Sequence, residues 1–229
     1  MEIFSSDEKS FSEVDVIGIA ITTCDPNARQ NHIALLYKYG EPCAPPRLLH
    51  LAAHRDLRDN EPDDKYLWMD LGDSFDEIDR AIICAHVQKI SQANNGDAVF
   101  YGFDLNGKYI DPETGTFQSS MAAIGLTCST FILEVMYSCG FELIQRDTWP
   151  KSHKPDIKWQ QKMIEIFLER PGVPLAFLER QKKNVGNRRY LPEEVAASTQ
   201  GEIPAARGSV MKPALDIRKR LKGKAKVSN

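Results

Sequence analysis

Three strand-like segments near the start of the chain restrict its fold more than any other feature of the sequence. Residues 14–23 read VDVIGIAITT and are followed by the turn-forming sequence DPN, a pattern typical of a buried strand. The segments HIALLYKY at 32–39 and RLLHLAA at 47–53 are also apolar and partly alternating, and a proline-containing connection separates them. The sequence therefore predicts that three strands open the fold.

The next part of the chain is predicted to contain a surface loop, a helix and a further strand. Residues 54–66 are polar and charged, as is typical of a surface loop. Ser74 is predicted to cap a helix over residues 75–93, because acidic residues lie in its first turn. The apolar residues that recur there at helical spacing are Ile78, Ile82, Ala85 and Ile90. The segment AVFYGFD at 98–104 predicts a strand, followed by a loop.

A cysteine stands at the head of an apolar helix pattern. The segment GLTCSTFILEVMYSCG spans residues 125–140, and Thr127 is predicted to be the helix cap. The apolar face of this predicted helix contains Cys128, Phe131, Ile132, Val135, Met136 and Cys139. Gly140 is predicted to end the helix.

The last third of the chain is predicted to be helical and then flexible. The segments DIKWQQKMIEIFLER, PLAFLERQKK and LPEEVAAS have helical patterns. We interpret residues 1–145 as a core domain, residues 146–200 as a helical extension packed on it, and residues 201–229 as a basic, flexible tail. From Arg207 onward there are eight basic residues and one acidic residue, so this tail is strongly positive although the whole chain has a net charge of −3.

Composition favours a soluble globular protein. Of 229 residues, 42% are apolar and 27% are charged, as in ordinary soluble domains. The first residues lack a basic head followed by an apolar stretch, and the apolar runs are too short for a membrane span, so a cytoplasmic location is expected. The five cysteines form no CxxC pair and no metal-type spacing, which predicts free thiols, no metal and no cofactor.

Cys128 is the strongest candidate nucleophile in the sequence. At the first turn of a helix its thiol would lie near unpaired backbone N–H groups and the positive end of the helix dipole, and both favour the thiolate. A cysteine on an apolar helix face is more often an inert packing residue. We interpret Cys139 and the remaining cysteines in that way.

Two histidines occupy adjoining predicted strands. His32 begins the segment 32–39, and His50 lies within 47–53. A buried imidazole needs hydrogen-bond partners, and these two histidines could supply them to each other. Two histidines on neighbouring strands, together with a cysteine at a helix head, form the set of groups that acyl-transfer chemistry uses.

These segments resemble those of a known family. NHIALLY and LLHLAA are similar to the paired-histidine strands of the lecithin:retinol acyltransferase-like family, and TCSTFILEVMYSCG is similar to its nucleophile helix. The order His, His, Cys is that of circularly permuted relatives of the NlpC-type papain-fold hydrolases. The resemblance covers roughly residues 14–145. It implies an α+β, permuted papain-like fold in which an antiparallel sheet packs against the nucleophile-bearing helix, with extra C-terminal helices.

The resemblance also implies a role for each site residue. Cys128 would be the nucleophile, His32 the general base and acid, and His50 the group that orients His32. Gln30 stands where several relatives carry an aromatic hydroxyl, and would donate a hydrogen bond to the oxyanion. Tyr101 would line the substrate cleft.

Two features leave alternatives open. His54 lies four residues after His50 and could orient His32 instead, although its charged neighbours favour a solvated loop. The connection between His32 and His50, which contains Cys43 and three prolines, is longer than in compact family members. The substrate of the family therefore does not transfer to this chain.

The sequence predicts a cysteine-dependent hydrolase or acyltransferase acting on a small-molecule or peptide amide, ester or thioester. A non-catalytic module of the same fold, which binds a partner through its groove or basic tail, is the alternative. The tail could contact nucleic acid or another acidic surface, without specificity. Redox sensing between Cys128 and Cys139 ranks third, because the intervening helix would separate the thiols by about 16 Å.

Overall fold

A six-stranded antiparallel sheet is the framework of the protein. The structure is a computed structural model that describes residues 1–25, 30–40, 44–105, 108–118 and 124–227. The strands of the sheet are β1 (Phe4–Ser5), β2 (Ile17–Asp25), β3 (Gln30–Tyr37), β4 (Arg47–Ala53), β5 (Asp56–Asn60) and β6 (Leu67–Asp70). They lie side by side in the order β1, β6, β2, β3, β4, β5. The predicted α+β class and antiparallel sheet are confirmed.

The central strand β3 is buried on both of its faces. Ile33 and Leu35 belong to the main hydrophobic core, which also contains most of the buried helix residues. Ala34 and Leu36 pack into a second cluster on the other side of the sheet. Because successive side chains of a strand alternate between its faces, His32 lies on the same face as Ala34.

Strands β5 and β6 differ from the prediction. Residues 54–66 are predicted to be a surface loop, but Asp56–Asn60 pair with β4 as an edge strand, so the prediction is wrong for these residues. Only Leu57 of β5 is buried, and such a strand has too little apolar periodicity to be distinguished from a loop. Strand β6 was not predicted and lies between β1 and β2.

Helix α1 (Glu77–Ala93) has nearly the predicted bounds but a different buried face. Its cap is Asp76 rather than Ser74. Ile78 and Ile82 are 69% and 49% exposed, so the predicted apolar face is wrong in the first turns. The buried residues of α1 are Ile83, Cys84, His86, Val87 and Ile90. This face is set by contact with β2 and β3, which local spacing does not reveal.

A short parallel pair of strands, β7 (Phe100–Tyr101) and β8 (Gly125–Leu126), leads to the cysteine helix. The predicted strand over 98–104 is therefore limited to two residues. A Cβ atom on Gly125 would lie 2.7 Å from the backbone of Gly102, so this crossing requires glycine. The close approach brings β7 beside the start of the cysteine helix.

Helix α2 (Cys128–Ser138) confirms the predicted cysteine helix. Thr127 is its cap, and the Thr127 hydroxyl accepts a hydrogen bond from the backbone N–H of Thr130 at 3.1 Å. Every residue from Cys128 to Met136 is buried, because the helix packs against β3 and β4 and also contacts the C-terminal helix that spans Pro192–Ser198. The head of the helix therefore lies inside the protein.

Four α-helices are described in the C-terminal third. They are α3 (Lys154–Glu169), α4 (Leu175–Asn184), α5 (Pro192–Ser198) and α6 (Arg207–Val227). Helices α3 and α4 pack together through a small hydrophobic cluster of their own, whereas α5 and α6 join the main core. No helix within the described ranges is both long enough and apolar enough to cross a membrane.

Helix α6 corrects the prediction of a flexible tail. Residues 207–227 are helical. The residues that α6 buries in the main core are Val210, Ala214, Ile217 and Leu221. Their spacing is that of an amphipathic helix, which the basic composition of the segment obscures.

The basic residues of α6 are largely used within the protein. Arg218 binds the buried carboxylate of Glu193 at 2.5 Å, and Arg207 binds that of Glu194 at 3.1 Å. Two further basic residues of α6 also form ion pairs. Three of the eight basic residues from Arg207 onward therefore pair with acidic residues of the body, and contact of this segment with nucleic acid or another acidic surface stays a prediction.

Candidate functional site

A pocket of about 460 Å³ opens at the end of the sheet. Pairing between β3 and β4 ends at Leu35 and Leu49, and beyond these residues both strands line the pocket. The pocket brings together the predicted site residues, which are Gln30, His32, His50, His54, Tyr101 and Cys128. Their catalytic roles stay predictions.

The two predicted histidines are in direct contact. His32 Nε2 lies 2.7 Å from His50 Nδ1, and the two rings meet at an angle of 71°. On its other side, His50 Nε2 lies 3.0 Å from the side-chain oxygen of Asn60. The three side chains form a hydrogen-bonded chain that runs from the edge strand β5 to the pocket.

The Asn60 amide sets the proton positions along this chain. Its Nδ2 donates to the backbone carbonyl of Glu61 at 2.6 Å, so its oxygen faces His50 and accepts a hydrogen bond from Nε2–H. A neutral His50 with this proton has an acceptor at Nδ1, which receives the Nε2–H of His32. Nδ1 of His32 is then unprotonated and has no hydrogen-bond partner among the described residues. The arrangement leaves His32, which lines the pocket, with one unprotonated nitrogen.

Both imidazoles are neutral at physiological pH. Burial and the neighbouring His50 lower the pKa of His32 to about 3. The positive charges of Lys65 and Arg58 act in the same direction on this pKa. Burial also lowers the pKa of His50, although its hydrogen bond to Asn60 opposes this effect. A neutral His32 has an unprotonated nitrogen that can accept a proton, but a pKa this far below neutral pH makes it a weak base in the substrate-free protein.

Cys128 is the first residue of α2 and is only 5% exposed. Burial raises the pKa of its thiol to about 11, although the backbone of Ile33 and the adjacent Ser129 act in the opposite direction. The expectation of a thiolate at the helix head is therefore wrong for the substrate-free protein. Loss of solvation of the charged form outweighs the hydrogen bonds from Ile33 and Ser129.

Cys128 and His32 reach the pocket from different sides of β3. The thiol lies against the backbone of Ile33, the residue after His32. The His32 ring is on the opposite face, where His50 holds it. Across the described part of the chain, no hydrogen bond joins the thiol to either imidazole. Contact between thiol and imidazole therefore requires at least one of the two side chains to rotate.

Tyr101 lies near the Cys128 thiol, which after burial is one of the causes that raise the pKa of Tyr101. The pairing of β7 with β8, which leads into α2, brings the two residues to the same part of the pocket. Burial, and then the charge that Cys128 would carry as a thiolate, raise the pKa of Tyr101 well above its ordinary value. The phenol therefore keeps its proton, and a donor beside the nucleophile can stabilise an oxyanion.

Gln30 begins β3 and lines the pocket, and its role as a donor stays a prediction. The next residue, Asn31, donates a hydrogen bond to Glu193 of α5 at 2.9 Å. Glu193 in turn binds Arg218 of α6. The C-terminal helices therefore hold the strand that carries His32.

His54, the alternative orienting group, lies outside the hydrogen-bonded chain. Three phenylalanine rings surround it at centroid distances of 5.1 to 5.2 Å: Phe100, Phe167 and Phe177. Both ring nitrogens are buried without a hydrogen-bond partner of good geometry. Contact with His32 is made by His50 instead.

Asn60 is the site residue that sequence reasoning missed. It ends β5, within the segment predicted to be a loop. In the pairing of β4 with β5, Leu48 is opposite Asn60 and His50 is opposite Arg58. His50 and Asn60 are therefore diagonal neighbours on one face. Only a correct prediction of this edge strand and its register would have found the contact.

Two of the other described cysteines lie away from the pocket, whereas Cys24 is exposed and lines it together with Cys128. Burial raises the pKa of Cys84 to about 11 and that of Cys139 to about 12, and neither belongs to the described pocket lining. Cys43 lies outside the described residues. Within the described ranges, no three histidine, cysteine, aspartate or glutamate side chains come together as a potential metal site.

The buried histidines predict that the protein loses stability in mild acid. Burial lowers the pKa of four of them: His32, His50, His54 and His86. Below a pH of about 6.5 the unfolded chain binds protons that the folded chain does not. The free energy of unfolding therefore falls as the pH decreases, by up to about 1.4 kcal/mol per pH unit for each such histidine. Denaturant unfolding between about pH 7 and pH 4.5 measures this loss.

A single substitution isolates the contribution of His32. In His32→Gln, the slope of the unfolding free energy against pH is expected to be smaller by the contribution of one proton, which is up to about 1.4 kcal/mol per pH unit. His153→Gln, at an exposed position, is the control and is expected to keep the parent slope. Equal slopes in His32→Gln and the parent would contradict the lowered pKa of His32.

Comparisons of the chain with protein-family models, with curated proteins and with solved structures find no match. The function of the pocket is therefore argued from its residues and their geometry.

Proposed function

We propose that the protein is a cysteine-dependent hydrolase or acyltransferase that forms an acyl-enzyme on Cys128. The observation that carries the proposal is the hydrogen-bonded chain from Asn60 through His50 to His32. It leaves one nitrogen unprotonated on His32, which lines the same pocket as the helix-head cysteine. A histidine oriented by a second polar group is the arrangement that activates a nucleophile. A packing role for the cysteine would not require it.

The permuted papain-like fold is part of the same proposal. Its support is the order of elements: the histidines lie on the antiparallel strands β3 and β4, and the cysteine helix α2 follows them in the chain and packs on them. In ordinary NlpC-type enzymes the cysteine comes first, so this order is that of the permuted relatives.

The first chemical step transfers the acyl group to sulfur. With substrate bound, the Cys128 thiol turns toward His32, whose Nδ1 takes the thiol proton while sulfur forms a bond to the carbonyl carbon. The Tyr101 hydroxyl and the backbone N–H of Cys128 donate hydrogen bonds to the oxyanion. The bond to the leaving group then breaks, and the leaving group takes the proton from His32.

The second step releases the acyl group. His32 accepts a proton from water, an alcohol or an amine as that molecule forms a bond to the acyl carbon. The carbon–sulfur bond breaks, and the proton returns to the sulfur of Cys128. Water gives hydrolysis, and an alcohol or amine gives transfer. Because the thiol is neutral in the substrate-free protein, it loses its proton only after the substrate has bound.

Mass spectrometry during turnover of activated acyl donors tests the proposal. With p-nitrophenyl acetate and an acetyl thioester, we expect turnover and one acetyl adduct, which peptide mapping places on Cys128. The variant Cys128→Ala is expected to lose both. Cys139→Ala removes a thiol from the other end of the same helix and is expected to behave as the parent.

Two results would contradict this proposal. One is turnover that Cys128→Ala leaves unchanged, since another group would then be the nucleophile. The other is no adduct and no turnover with any activated acyl donor.

A non-catalytic binding module is the second candidate. It is favoured by the raised pKa of Cys128 and by the lack of a hydrogen bond between thiol and imidazole among the described residues. Because helix α6 is packed on the core, such a module would bind its ligand in the pocket rather than through the C-terminal segment. Ligand binding without acylation would favour this candidate.

A further inference from the structure

We infer that the substrate is an acyl compound with an apolar body and one anionic, carboxylate-type end, and that it lies along helix α3. This inference rests on the proposed function of the pocket. It is drawn from residues of the pocket wall that take no part in the proposed chemistry.

One side of α3 forms a wall of the pocket. Its lining residues recur at helical spacing and are Trp159, Met163, Ile166, Phe167 and Arg170. The first four are apolar or aromatic, and Arg170 caps the C-terminal end of the helix. The rise of a helix over this stretch is about 16 Å. The wall is therefore a long apolar stripe that ends in a cation.

The charge of the pocket lining is positive. Its basic residues are Arg58, Lys65, Arg170 and Arg189, and the described lining contains no aspartate or glutamate. Three of the four pair with a carboxylate outside the lining: Arg58 with Asp56 at 2.6 Å, Lys65 with Asp63 at 2.7 Å, and Arg189 with Asp156 at 3.1 Å. Among the described residues, no carboxylate pairs with Arg170. One unbalanced cation therefore remains in the wall.

Arg170 is positioned with most of its donors unused. Its Nη1 donates to the backbone carbonyl of His54 at 3.4 Å, and its other N–H groups have no partner in the described part of the chain. The His54 ring packs among three phenylalanine rings, which holds in place the residue whose carbonyl accepts from Arg170. A guanidinium with free N–H groups binds a carboxylate through two parallel hydrogen bonds.

The other end of the stripe carries a cation that is already balanced. Arg189 lies 3.9 Å above the Trp159 ring and binds Asp156 at 3.1 Å. An anionic end of the substrate is therefore expected at Arg170 rather than at Arg189. A single unbalanced positive charge matches a carboxylate better than a phosphate dianion.

Arg170 also has a purely structural explanation. A cation at the C-terminal end of a helix interacts favourably with the helix dipole. That role predicts an effect of substitution on stability and none on the choice between charged and neutral substrates. Substrate preference therefore separates the two roles.

Paired synthetic esters test the inference. p-Nitrophenyl half-esters of dicarboxylic acids of increasing length are each compared with the methyl-capped counterpart of the same length. At one length, we expect kcat/KM for the free carboxylate to exceed that for the capped ester by about tenfold or more. Added salt is expected to reduce this preference, because Arg170 is solvent-exposed.

Variants of α3 assign the preference to one residue. Arg170→Gln is expected to abolish it, and Arg170→Lys to retain part of it, since lysine keeps the charge without the paired donors. Lys162→Gln is the matched control, because it removes a positive charge from an exposed position on the same helix outside the pocket lining. This variant is expected to keep the full preference.

The outcomes distinguish this inference from the proposed function. If Cys128-dependent hydrolysis shows no preference for the free carboxylate, or if the preference survives in Arg170→Gln, the inference is overturned and the proposed function stands. If neither member of any pair is hydrolysed in a Cys128-dependent reaction, the proposed function fails and the inference fails with it.

Discussion

The variant His32→Gln is expected to lose about 10² to 10⁴ in kcat/KM for activated esters, which is the usual contribution of a positioned general base. Glutamine can keep a side-chain donor toward His50 Nδ1, but it cannot take up and release a proton at ordinary pH. The loss is expected mainly in kcat, because the proton moves in the transition state and not in substrate binding. Steady-state kinetics with p-nitrophenyl acetate, alongside circular dichroism to verify folding, measure it.

Three other histidine variants are the controls. His50→Gln is expected to lose roughly 10- to 100-fold, because it removes the group that orients the base rather than the base itself. His54→Gln changes a buried imidazole in the same pocket but outside the hydrogen-bonded chain, and His153→Gln changes an exposed one. Both are expected to keep kcat. Parent activity in His32→Gln, or a larger loss in His54→Gln, would remove His32 from the role of base.

Ending the chain after residue 206 is expected to abolish the folded state. The deletion removes the buried side chains of α6, which are Val210, Ala214, Ile217 and Leu221. Burial of the three larger ones contributes on the order of 5–9 kcal/mol, which is comparable to the whole stability of a domain, about 5–15 kcal/mol. Glu193 and Glu194 would also lose their arginine partners. Circular dichroism and denaturant unfolding of the truncated chain measure the effect.

A substitution within α6 isolates the ion pair. Arg218→Ala leaves Glu193, which is 4% exposed, with Asn31 as a remaining partner. Because the Arg218 side chain is 37% exposed, we expect a loss of about 1–3 kcal/mol rather than the full cost of breaking a buried pair. Lys212→Ala, at an exposed position of α6, is expected to change stability by less than about 0.5 kcal/mol. Cooperative, parent-like unfolding of the truncated chain would restore the interpretation of a flexible tail.

The role of α6 also affects the candidate site. The C-terminal third lies outside the proposed papain-like core, yet it holds the start of β3 through Arg218, Glu193 and Asn31. It also supplies the pocket wall on α3. The C-terminal third therefore contributes both the support of His32 and the surface that would select the proposed substrate.

Elements with strong local signals could be predicted from the sequence. Helix α2 has a capping threonine, an apolar face and a glycine after its end, and each of these acts within a few residues. Strands β2, β3 and β4 could also be predicted, because both of their faces are buried and their sequences are therefore continuous apolar runs. Edge strand β5 and helix α6 were missed, because one has a single buried residue and the other a composition dominated by charge.

Local patterns in the sequence place a cysteine at a helix head and two histidines on adjoining strands, because the structure of these segments is set within a few residues. The protonation states of these groups depend on contacts that packing creates. Burial among residues distant in the chain makes the Cys128 thiol and the His32 imidazole neutral. The contact with Asn60, which depends on the register of an edge strand, decides which nitrogen of His32 is basic. Desolvation and hydrogen-bond partners arise from packing, so no local pattern of residues contains them.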